Sequence, residues 1–256
     1  MLPKHERTAV LTKSNRALQS DRFTVLVGPC KAVFKVPRDL LIQCSPFFEK
    51  SCSLPFKECI EQVINLPEDD PLTFENFFIW LHSLKPYMPF DNDDSSLINL
   101  GVFAEKYQVR LLMNHISDLI RQAVSEGRWK PSPDVMRTVY DGVPANSILR
   151  RLCALGFTVS LGKAGRRMDY SIWKTVFNDF ADLGWDYFCR TREGQTSTKD
   201  VTWQGACRFH DHSDVFGWVR QDVPTCPFPE GAPVAILNQK DVPILGSGSE
   251  SLIEEL

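Results

Sequence analysis

A chain of 256 residues with 43% hydrophobic and 24% charged residues has the balance of a packed globular protein, which excludes a disordered or fibrous chain. Its net charge of -3 and pI near 6.0 supply no field that gathers phosphates, so nucleic acid is not an expected partner. No apolar run approaches the ~20 residues of a membrane helix, and eight cysteines with no signal-like run in residues 1–20 point to reduced thiols in an intracellular protein of cytoplasm or nucleus.

Residues 1–20 are polar and read as a flexible leader. The β-branched run Phe23 to Val27, the turn residues Gly28-Pro29 and the run Ala32 to Val36 then predict a β-hairpin. Pro37 suits the first position of a short helix carrying Leu40, Leu41 and Cys44. Ser45 is placed to cap a second helix, with Phe47 and Phe48 turned into the core. Residues Ile60 to Leu66 read as a third strand, stopped by Pro67 and followed by the acidic loop Glu68-Asp69-Asp70.

Phe74, Phe77, Phe78 and Leu81 fall at helical spacing and predict a buried face. A loop covers Lys85 to Asp94. From Ser95 the stripe Leu97, Leu100, Ala104 and Tyr107 is followed by a longer one through Val109, Leu112, Met113, Ile116, Leu119, Ile120 and Ala123, and the two are expected to pair as a helical hairpin.

The breakers of Gly127 to Pro133 suggest a domain boundary. Short helices are expected over Val135 to Tyr140 and Ser147 to Leu155. A further helix capped by Asp169 carries Ile172, Trp173, Val176, Phe177 and Phe180 on one face and ends near Gly184. The stretch from Thr191 to Thr202 is polar, the chain after Pro224 is proline-rich, and the end has linker composition. The organisation is thus a leader (1–20), an α+β unit (21–125), a mostly helical region (126–236) and a flexible tail (237–256).

This order of elements resembles the BTB/POZ domain, of the version common in filamentous fungi. Phe34-Lys-Val-Pro-Arg-Asp-Leu-Leu is similar to the family's strand-to-helix junction, Ser45-Pro46-Phe47-Phe48 to its S-P-x-F helix start, and Leu66-Pro67-Glu68-Asp69-Asp70-Pro71 with Phe74, Phe78, Trp80 and Leu81 to the fungal form. Tyr140 to Leu152 resembles a segment that often follows such domains. Pro37 stands where the family usually has a histidine, and the common aspartate before the first strand is displaced to Asp21. The resemblance implies a small sheet flanked by helices and a role in protein interaction, either as substrate adaptor for a cullin-type ubiquitin ligase or as a self-associating scaffold.

Adaptors of this family carry an apolar residue, any residue and an acid after the second short helix, a pattern met here by Phe56-Lys57-Glu58. An exposed aromatic beside a carboxylate has the makeup of an interface centre, whereas the plainer reading is a solvated loop with one buried Phe. By the same resemblance Phe78, His82, Tyr87 and Met88 flank that surface. Cys207, His210, His212 and Cys226 are of the types that hold zinc, but the last spacing runs through two prolines and matches no standard finger. No metal or cofactor is expected. Gly162 to Gly165 with Arg166 and Arg167 reads as a basic turn rather than a nucleotide clamp. The chain has no G-x-S-x-G, phosphate-loop or H-E-x-x-H motif, and the expectation is a non-enzyme.

Overall fold

A computed structural model describes residues 19–53, 56–83, 94–129, 131–164, 170–195 and 209–211. It is a mixed α+β protein, mostly helical, with a three-stranded sheet. The rest of the leader, the loop 85–93, Asp169, the end of the basic turn and the tail lie outside the described residues.

The hairpin β1 (Arg22–Val27) and β2 (Ala32–Pro37) is antiparallel, with Val25 opposite Phe34. β3 (Val63–Leu66) pairs with β1 in parallel, and Val25 faces Ile64, giving the order β2-β1-β3. Alternation along β1 buries Phe23, Val25 and Val27 on one face, as a half-buried strand requires. At the hairpin turn Gly28 has φ +72°, and a Cβ there would press on the Asp69 carbonyl oxygen at 3.1 Å, so two steric demands favour glycine.

Pro37 does not begin a helix. It closes β2 and stands as N-cap to α1 (Arg38–Cys44). Ser45 caps α2 (Pro46–Ser51), accepting from the amides of Phe47 and Phe48 at 3.1 and 3.2 Å while its hydroxyl donates to the Tyr107 carbonyl. Of the two phenylalanines only Phe48 is fully buried. Phe47 packs its edge on Phe48 and Tyr107 but stays 39% exposed, because adjacent residues of a helix cannot share one face.

The expected strand from Ile60 is half as long as the pattern suggests. Lys57–Glu61 forms a short helix, α3, closed by Gln62 in the left-handed conformation (φ 54°), and only then does β3 begin. α4 (Pro71–Ser83) starts on an Asp70 carboxylate that accepts from the Thr73 amide and hydroxyl at 2.8 and 2.9 Å. Phe74, Phe77 and Leu81 are buried as expected, with Trp80 beside them, while Phe78 is only half-buried.

α5 (Asp94–Lys106) and α6 (Arg110–Ser125) pack as a hairpin, with Gln108 at φ 55° in the link. Beyond them come α7 (Pro133–Gly142), capped by Ser132, α8 (Ile148–Ala164), a 3-10 turn Tyr170–Trp173, α9 (Lys174–Asp179) and α10 (Ala181–Arg192). The predicted single helix over 172–180 is broken into these last pieces. Ile172 is 48% exposed, Phe180 leaves helical geometry at φ -128° and ψ 80°, and Gly184 lies inside α10 rather than at a helix end.

The core does not stop at the proline-rich stretch 127–133. Trp129 is buried against α8, where Gly156 leaves room for its indole, and one apolar cluster runs from Phe23 to Leu183 and includes Phe209. α6 packs on α8, and α5 packs on α7.

Candidate functional site

Phe56 is the N-cap of α3, its backbone extended and its side chain 52% exposed. One turn on, Ile60 is 68% exposed. Lys57 and Glu61 pair across 3.6 Å at the surface, and Glu58 is half-buried, its carbonyl accepting the amide that closes the helix. Two bare apolar side chains amid charges thus project from a five-residue helix. A partner that covered both would remove their apolar surface from water.

Phe78 and His82 lie one turn apart on α4 and touch, their ring centres 4.3 Å apart. His82 Nδ1 lies 2.8 Å from the Phe78 carbonyl, which can only accept, so this nitrogen carries the proton. Phe34 from β2 covers the other side of Phe78 at 6.0 Å. Of the six residues expected to meet a partner, the structure therefore joins Phe78 to His82 and sets Phe56 and Glu58 together on α3. Tyr87 and Met88 lie outside the described residues.

A second constellation was not foreseen. The apolar stripe of α6 leaves Asn114, Ser117, Asp118 and Arg121 on its opposite side, where polar residues ordinarily meet water. All four are at most 1% exposed. Asp118 receives Arg121 on one oxygen at 2.9 Å, and its other oxygen lies 3.1 Å from His210 Nε2. The Asn114 side chain donates to the Asp211 carbonyl at 3.0 Å and accepts the Asp211 amide at 2.9 Å. Arg110 Nε lies 3.3 Å from the Asp211 carboxylate, and the Arg121 guanidinium stands 5.3 Å from the Phe209 ring centre. Behind this row the Trp80 indole donates to His115 Nδ1 at 3.0 Å. Burial, reinforced by nearby His210 and opposed by Asp118, holds the His115 imidazole down at a pKa of about 4, so it is neutral at pH 7.

His210, one of the four candidate metal ligands, thus turns its Nε2 to a carboxylate. Cys207, His212 and Cys226 lie outside the described residues. Among the described residues no three His, Cys, Asp or Glu side chains are gathered as a metal would require. The described cysteines Cys30, Cys44, Cys52, Cys59, Cys153 and Cys189 form no disulfide with one another. Burial raises both Cys44 and Cys52, the latter to about 11, which leaves them protonated and poor nucleophiles.

No helix among the described residues is long and apolar enough to cross a membrane. Compared with known proteins, the chain matches no family model and no curated relative.

Proposed function

We propose that the chain is a protein-interaction module of BTB/POZ type over residues 21–125, acting as a substrate adaptor that docks on a cullin-type ubiquitin ligase scaffold. The observation that carries the reading is the Phe56 ring, half-exposed at the start of α3 with Glu58 and Ile60 behind it. An aromatic anchor with a carboxylate beside it offers a partner both apolar area and orientation. The order hairpin, short helices, parallel third strand, helix and helical hairpin supports the family reading, and α3 is the added turn that lifts Phe56 and Ile60 from the surface. The role is one of binding, and the helical region beyond residue 126 is left to select the substrate.

A self-associating scaffold is the second reading. It is favoured by β2, whose outer edge pairs with no strand among the described residues and whose Val33 is 63% exposed.

A pull-down of the purified full chain with a cullin separates the two. The adaptor reading expects capture by the parent and loss on Phe56→Ala and on Glu58→Lys. Truncating an interface anchor costs about 2 kcal/mol or more, roughly thirty-fold in affinity. A parent chain that fails to bind removes the adaptor role, and a dimer mass by light scattering then favours the scaffold.

A further inference from the structure

Residues 209–211 reach α6 from nearly a hundred positions away in the chain, and they do so in a matched order. Arg121 takes the Phe209 ring, Asp118 the His210 imidazole, Asn114 both backbone groups of Asp211, and Arg110 its carboxylate. The positions 110, 114, 118 and 121 form one row along a helix, so the tripeptide runs antiparallel to α6. We propose that this row is a recognition site for a short peptide of sequence aromatic-His-Asp, filled in cis by Phe209–Asp211 and exchangeable with the same peptide presented in trans.

Three physical points carry the inference. First, a single amide side chain satisfies both the N–H and the C=O of Asp211, which grips a backbone without regard to its side chain, while the flanking contacts meet ring, imidazole and carboxylate. Second, the site is polar at a cost: a buried ion pair such as Asp118 with Arg121 is seldom better than apolar residues of equal volume, and its return is specificity. Third, both amide atoms of Asn114 find their partners on Asp211, and the second Asp118 oxygen faces His210 Nε2 at 3.1 Å without a hydrogen bond between them.

The test uses a fluorescent peptide of residues 206–213 and the full chain carrying Phe209→Ala and His210→Ala, which weakens the internal copy. Anisotropy is expected to show saturable binding to this variant. Binding to the parent is expected to be at least about ten-fold weaker, since the tethered copy competes at an effective concentration on the order of millimolar. Adding Asn114→Ala should abolish it. Absence of saturable binding to the folded variant, or binding indifferent to Asn114→Ala, overturns the proposal. Should the variant not fold, amide exchange in the parent decides: the Asp211 amide is expected to be protected and to exchange faster when millimolar unlabelled peptide is added, with β1 unchanged. An Asp211 amide that exchanges freely without peptide, or is unmoved by it, overturns the proposal equally.

Discussion

Asp118 and Arg121 stand three residues apart, a spacing visible in the sequence, but nothing local tells that they are buried. They lie against His210 and Phe209, and no periodicity within α6 encodes a contact made so far along the chain. The apolar side of α6 was legible for the opposite reason, since Leu112, Ile116 and Ile120 recur at helical spacing. His115 has a consequence that is open to measurement. Its pKa is near 6.5 when unfolded and is held to about 4 in the fold, mainly by burial. Below pH 6.5 the unfolded chain therefore takes up a proton that the folded chain refuses. Stability falls as pH drops through that window, by at most about 3 kcal/mol from this residue. His115→Asn keeps an acceptor for the Trp80 indole and does not titrate, so denaturant melts between pH 6.5 and 4 should show a flatter decline than in the parent. An equally steep decline in the variant would place the titration elsewhere.

At the scale of elements, strands and helices with one dominant face were readable, and those that share residues with a neighbour were not. β1 and β2 follow from alternation, whereas the β-branched run at 60–66 hid the turn at Gln62, whose left-handed backbone lets a helix end and a strand begin within one residue. Likewise Phe180 interrupts a good helical stripe because packing of α9 on α10 outweighs local periodicity. The joint of α6 with α8 rests on Gly156. An added Cβ would lie 2.3 Å from the Trp129 ring and 3.0 Å from Val124, and both neighbours are buried. Gly156→Ala should therefore destabilise the protein by about 1–3 kcal/mol in urea melts, although alanine is the better helix former by about 1 kcal/mol. Combining it with Trp129→Leu should recover part of that loss, because the large ring is what the methyl meets. A stabilised single variant would show that the ring moves aside freely.

On the scale of the whole molecule, the sheet unit and the helices after residue 126 share one core, and across their joint the Ser147 hydroxyl donates to the Glu105 carboxylate at 2.6 Å. Among the later helices themselves, Arg150 on α8 stacks over Tyr140 at 4.2 Å and pairs with Asp182 on α10 at 2.8 Å, and the Tyr140 hydroxyl donates to Asp186 at 2.6 Å. The breakers of 127–133 read as a boundary because they interrupt local periodicity, while the packing of distant residues runs across them. Outside this shared core, α3 is short and charged, with Phe56 and Ile60 bare at the surface. Its use by a partner is the claim on which the functional reading stands. Hydrogen exchange of the full chain, recorded alone and with a saturating cullin N-terminal region, tests it most directly. The amides of residues 56–61 are predicted to slow in the mixture while those of β1 stay unchanged; exchange at 56–61 that is identical with and without the cullin would contradict it.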